Sequence, residues 1–142
     1  MTASDTEWFR LGVSLHTLDP EQRLETAELL NGSLVKSVEL WEPKFETSEG
    51  YVNDMRRLLA AAEVEARTVH ANFGASLDIS SPDGAVRSAG IEAFRAALDL
   101  ALRMRAQIVV THPSSEPIPD ETRAARMEEA KRSVRTIADM AG

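Results

Sequence analysis

Three histidines are the residues of this chain best suited to chemistry, and each follows a short apolar run. His16 ends Leu11-Gly12-Val13-Ser14-Leu15, His70 follows Ala66-Arg67-Thr68-Val69, and His112 ends Gln107-Ile108-Val109-Val110-Thr111. Runs of this length read as buried strands. Each imidazole therefore stands where a strand gives way to a loop. In parallel α/β sheets, ligands bind at the carboxyl ends of the strands. The three histidines are thus expected to open onto one mouth. A single histidine there is usually a solvated loop residue; the repeated position carries the signal. Neutral imidazole can bind Zn, Mn, Fe or Co, and it can hydrogen-bond the hydroxyls of a sugar.

Other groups near the same mouth are weaker candidates. Glu39 and Glu42 are an odd number of residues apart, so they face opposite sides of a strand. Glu39 lies inside an apolar run and reads as a buried carboxylate paired with an arginine. Glu42, at the strand end before Pro43, faces the mouth. Trp41 could wall a pocket or pack under a helix. The run Pro113-Ser114-Ser115-Glu116-Pro117-Ile118-Pro119 suits neither helix nor inner strand, and would rim such a site. No Gly-rich phosphate loop is present, because Gly84 and Gly90 fall within a helical segment. Neither Gly-x-Ser-x-Gly nor His-Glu-x-x-His occurs. The residues alone assign no catalytic group.

The elements that must position these residues alternate strand and helix four times. Strands are expected at about residues 11–15, 37–41, 66–71 and 107–111. Asp19-Pro20 starts a helix, with Gln22 placed to complete a capping box, and Asn31-Gly32 ends it. Ser48 caps a second helix, whose apolar face is Tyr51, Val52, Met55, Leu58, Leu59 and Ala62. Ser81-Pro82-Asp83 reads as a cap with proline just inside, opening a long third helix to about Met104, striped with small residues. Asp120 begins the last, with Met127, Ala130, Val134, Ile137 and Ala141 expected on its inner face. Successive parallel strands need crossover helices, so four βα units predict a parallel sheet.

An eight-unit barrel takes roughly 250 residues, and this chain has 142. Two α/β architectures fit: a (β/α)4 half of a barrel spanning residues 1–142 as one domain, or a complete doubly wound four-stranded sheet.

Composition narrows the function classes. Apolar residues make up 43%, which suits a folded core, and there is no cysteine. Disulfides and thiolate metal sites are therefore excluded. The acidic N-terminus lacks a secretory pattern, and the cytoplasm is the expected compartment. No run reaches the roughly 18 apolar residues of a membrane span. The net charge of -7 and the few lysines argue against nucleic acid. The charges of Arg123, Arg126, Lys131 and Arg132 interleave with Glu121, Glu128 and Glu129, as on a solvated helix face.

The stretch from Thr68 to Pro113 favours the barrel. His70-Ala71-Asn72-Phe73-Gly74, then Leu77-Asp78-Ile79-Ser80-Ser81-Pro82, then an alanine-rich helix and Ile108-Val109-Val110-Thr111-His112-Pro113 resemble the xylose isomerase-like TIM-barrel superfamily. Leu11-Gly12-Val13-Ser14 and Val38-Glu39-Leu40-Trp41 are similar to its first two strands. The resemblance implies the N-terminal half of a metal-dependent sugar or sugar phosphate isomerase or epimerase. It implies that His16, Trp41, Glu42, His70 and His112 contact a small-molecule sugar. In the endonuclease IV branch, the positions of His70 and His112 are metal ligands. In the isomerases, the divalent metal (Mn, Zn, Mg or Co) is held mainly by the last four strands. The chain alone is then expected to lack most of the metal ligands and to be inactive, with no cofactor of its own. Two alternatives stand beside this: an endonuclease IV-like phosphodiesterase, and a half-barrel that works by association without catalysis. Two departures are visible. Asn72 stands where relatives often have proline, and Arg105 stands where they usually have glycine.

A half-barrel leaves its edge strands open, which invites pairing. Val13, Leu15, Val38, Leu40, Val69, Val109 and Thr111 are expected to supply an inner face too apolar to leave wet. A homo-oligomer, most simply a dimer that completes the barrel, is therefore expected.

Overall fold

Asp19 caps the first helix as its sequence predicts. Its carboxylate accepts from the Gln22 amide at 2.9 Å, and the Gln22 side chain accepts from the Asp19 amide at 3.1 Å, a reciprocal capping box. Ser48 Oγ accepts from the Tyr51 amide at 3.2 Å. Asp83 accepts from the Ala85 amide at 2.8 Å, while Ser81 Oγ accepts from the Asp83 amide. These caps set the starts of three helices in the computed structural model, which describes residues 10–15, 18–41 and 48–142.

The element order is β1 (Leu11–Ser14), α1 (Pro20–Leu29), β2 (Val35–Trp41), α2 (Glu49–Ala61), β3 (Glu65–His70), a 3-10 turn (Ala75–Leu77), α3 (Gly84–Met104), β4 (Ile108–Val110) and α4 (Asp120–Ala141). The sheet runs β1-β2-β3-β4, and every neighbouring pair is parallel. That order is a barrel segment and rules out the doubly wound alternative, which needs strands on both sides of the first.

Sheet register shows which side faces the helices. Leu40, Val69 and Val109 are partners in one row, and Trp41, His70 and Val110 in the next. Leu40 and Val69 are buried in the core with Ala27, Met55, Leu59, Ala97 and Leu100 from the helices. Successive side chains on a strand alternate, so Trp41, His70 and Val110 belong to the other side. Val13, Leu15, Val38, Leu40, Val69 and Val109 therefore pack towards the helices, not on an inner face as expected. The inner face carries Ser14, Glu39, Trp41, Thr68, His70, Ile108 and Val110, several of them polar. The reason is the phase: the branched residues that looked too apolar to leave wet are the ones the helices already cover.

The last helix also turns differently from its expected face. Ala130, Ser133 and Ile137 are buried, whereas Met127 and Val134 stay exposed. Ser133 reaches the core because its hydroxyl donates to the Ile79 carbonyl at 2.7 Å, a bond that an apolar pattern cannot show.

Two helices end in the same strained way. Ala106 N–H donates to the Ala101 carbonyl and Arg105 N–H to that of Leu102; Val64 N–H donates to Leu59 and Glu63 N–H to Ala60. Both are Schellman endings, whose central residue is left-handed and usually glycine. Here Arg105 (φ 58°) and Glu63 (φ 56°) hold that conformation. Gly90, by contrast, is a required glycine. A Cβ there would overlap the Leu77 carbonyl oxygen and the Ile79 side chain, so α3 lies directly against the 3-10 turn.

Candidate functional site

The row of Trp41, His70 and Val110 lies at the carboxyl ends of β2, β3 and β4. Adjacent strands are about 4.8 Å apart, and the Trp41 and His70 rings stack at 4.5 Å with an interplanar angle of 17°. Phe73, just past β3, stacks on His112 at 4.0 Å and 17°. The two imidazoles are 5.1 Å apart, tilted by 41°. Phe73 also meets Trp41 edge-on at 5.5 Å. The four rings thus form one contiguous cluster. His70 is buried, Trp41 half-buried, and Phe73 and His112 exposed.

Hydrogen bonds fix two of these rings. His70 Nδ1 lies 2.8 Å from the Ala71 carbonyl oxygen. A carbonyl only accepts, so Nδ1 carries the proton in this bond and Nε2 is the accepting nitrogen of the neutral ring. Trp41 Nε1 donates to Asn72 Oδ1 at 2.7 Å. Asn72, a departure from the expected proline, therefore orients the indole.

Arg23 supports the cluster from below. It is buried on α1, and its Nε donates to the carbonyls of Leu15 (3.1 Å) and Leu18 (2.9 Å), while Nη1 donates to that of Trp41 (3.2 Å). One guanidinium thus ties the ends of β1 and β2 together. Burial pushes the Tyr51 hydroxyl above its ordinary pKa, against the pull of Arg23.

A second buried charge joins the next two loops. Asp78 Oδ1 accepts from the Ser80 amide (2.8 Å) and hydroxyl (2.6 Å). Its Oδ2 accepts from the Ser115 amide at 3.1 Å and from Arg126 Nη1 at 2.8 Å. Burial alone would raise the Asp78 pKa. The bonds from Ser80, Ser115 and Arg126 outweigh it and hold the carboxyl below its ordinary value.

Of the residues expected at the mouth, Trp41, His70 and His112 come together. His16 and Glu42 lie outside the described residues. Glu39 is half-buried on the inner face and accepts from Ser14 Oγ at 2.8 Å. Among the described residues no arginine pairs with it. Phe73, Asn72, Arg23 and Asp78 are contributors that the sequence reading left without a role. Asn72, Phe73 and Asp78 stand within the motifs that carry the family resemblance. Arg23 gave no signal, since an arginine on an amphipathic helix normally points to water.

A divalent metal does not fit the described donors. Structural zinc takes four ligands and catalytic zinc three from protein. His70 and His112 supply two at most, and no group of three or more His, Cys, Asp or Glu gathers among the described residues.

A family model described as xylose isomerase-like TIM barrel matches residues 32–142. The chain belongs to this family. Solved structures agree with that fold. A D-tagatose 3-epimerase-like protein superposes with a TM-score of 0.77 at 23% identity, covering 94% of this chain and 49% of its own. D-psicose 3-epimerase from Clostridium cellulolyticum H10, solved with D-tagatose, gives 0.72 at 18%, covering 94% and 48%. A Thermus thermophilus protein soaked with ZnCl2 gives 0.57 at 24%, covering 93% and 52%. This xylose isomerase-like chain therefore spans about half the length of the structures it matches. No curated protein matches it at a significant level. Among the described residues, no helix is long and apolar enough to cross a membrane.

Proposed function

We propose that this chain forms the sugar-facing half of an isomerase or epimerase that acts on a free or phosphorylated ketose. The observation that carries this reading is the ring cluster of Trp41, His70, Phe73 and His112 at the carboxyl ends of the strands, where barrels of this kind place their active sites. Flat aromatic faces suit the C–H face of a sugar, and imidazole nitrogens suit its hydroxyls. In this reading His70 Nε2 accepts from a substrate hydroxyl, while the Ala71 carbonyl holds the ring in the required tautomer. Trp41 and Phe73 form the platform, and His112 is its outer edge. His16 and Glu42, which lie outside the described residues, are proposed as further sugar contacts. Two solved neighbours are named for D-tagatose and D-psicose, and ketohexoses are the first ligands to try.

A divalent metal in the assembled barrel would need carboxylates beyond the described set. With no complete set of metal ligands among the described residues, the chain is proposed to bind sugar without turning it over. The half-buried inner face and, among the described residues, the edge strands β1 and β4 are covered by a further set of βα units, which a second copy of the chain can supply. The compartment proposed is the cytoplasm.

The test is an NMR titration of the isotope-labelled chain with D-fructose and D-tagatose. Shifts should concentrate on the Trp41 indole N–H and on the His70 and His112 rings. Uniform small shifts, or none at saturating ketose, would sink the reading.

A further inference from the structure

Two loops meet at the ring cluster, and they are held unequally. The loop after β3 is anchored to α3 by the close approach of Leu77 to Gly90. Ser133 anchors it to α4 through the Ile79 carbonyl. The loop after β4 carries His112 and then the Pro113–Pro119 run. Its amide at Ser115 donates to Asp78 across from the other loop, and Arg126 on α4 closes the same carboxylate. Asp78 is thus the point at which the β3 loop, the β4 loop and α4 are all bonded to one side chain. Its side chain is 4% exposed.

We infer that Asp78 is a positioning residue for His112: by holding the Ser115 amide and Arg126 together, it keeps the β4 loop where His112 lies flat on Phe73 and within 5.1 Å of His70. His70 needs no such device, because it belongs to β3 and its place is set by sheet register. One imidazole of the pair is therefore fixed by the sheet and the other by a salt-bridged latch. A buried carboxylate with four hydrogen bonds is suited to this, since its geometry is over-determined and its loss is costly. The consequence for sugar binding rests on the functional reading above; the geometry does not.

The test reads ring position in the ligand-free protein. A phenyl face over His112 moves its ring protons upfield, so NMR reports the stack directly. Asp78→Asn should lose that upfield shift at His112 and leave the His70 signals where they are. Ser133→Ala removes a bond of the same β3 loop without touching the β4 loop. It should lower stability yet keep the His112 shift. If Asp78→Asn does not fold, Arg126→Met opens the same latch from its more exposed side, and the same loss at His112 is expected. A folded latch variant with an unchanged His112 shift overturns the inference. So does an equal change in Ser133→Ala, which would make Asp78 merely structural. Ketose titration of the same variants is a separate reading. A wild-type chain that binds no ketose but shows the His112 loss in Asp78→Asn supports the latch and defeats only the functional proposal.

Discussion

Trp41 and His70 are cross-strand partners whose rings stack at 4.5 Å. That distance is close to the strand spacing itself, so the stack follows from register and needs no loop to create it. Each ring contributes area and orientation to the proposed platform. His70→Ala and Trp41→Ala should each weaken ketose binding by about tenfold or more, equivalent to about 1.4 kcal/mol. His112→Ala should weaken it while barely touching stability, because that ring is exposed. Calorimetric titration and thermal melting of the same samples decide. A loss of several kcal/mol of stability with unchanged affinity would make these residues structural.

Asn72 should matter through Trp41. Asn72→Ala deletes the 2.7 Å acceptor of the indole and should cost about 1 kcal/mol, as a typical side-chain hydrogen bond does. The Trp41 indole N–H resonance should move, and ketose affinity should fall as the platform loosens. An indole signal unmoved by the substitution would show that Asn72 does not hold the ring.

Much of this arrangement was legible in the sequence because it depends on local rules. Asp19 and Ser48 cap helices by side-chain chemistry that needs no tertiary context, whereas the third helix is capped by Asp83 and leaves Pro82 outside it. The apolar runs before His70 and His112 fix two strand ends. What escaped was orientation about each axis. Val38 and Leu40 could face either side of β2, and only the helix layer decides. The polar anchors escaped for a related reason: Arg23 and Ser133 are buried by bonds to backbone carbonyls that a hydrophobic pattern does not encode. Asp78 and Ser115 are bonded across 37 residues, a distance at which periodicity says nothing.

The two left-handed helix endings make a stability prediction. An L-residue pays about 1 kcal/mol or more in that conformation, and glycine does not. Arg105→Gly and Glu63→Gly should each stabilise the chain, by up to about 1 kcal/mol, with the helix ends retained. Urea unfolding measures it. Destabilisation by Arg105→Gly would mean that its side chain makes a contribution larger than the strain.

The latch also predicts an acid limb. The Asp78 carboxyl is held below its ordinary pKa in the folded chain. Above the ordinary value it is ionised in both states, and its stabilisation is complete. As pH falls, the unfolded chain binds the proton first, and the contribution shrinks. It is gone once the folded carboxyl is protonated too. Asp78→Asn should cost about 3 kcal/mol at neutral pH, as breaking a buried pair does, and its stability should fall less steeply on acidification. Parallel acid-limb slopes for the two proteins would refute the assignment.

The remaining prediction concerns association. Among the described residues β1 and β4 are edge strands, with Leu11 49% and Ile108 46% exposed. On α4, Met127 and Val134 border the buried Ala130 and Ile137 on the helix surface and are exposed. Unpaired edges beside exposed apolar side chains favour a partner strand. The chain spans about half of each barrel it matches, so a second copy offers the missing number of strands. The expected species in sedimentation is a dimer of twice 15.6 kDa. Leu11→Lys with Ile108→Lys should shift it towards monomer, because lysine on an edge opposes pairing. Val134→Lys should do the same only if α4 joins the contact. A well-folded wild-type monomer at micromolar concentration would refute self-association.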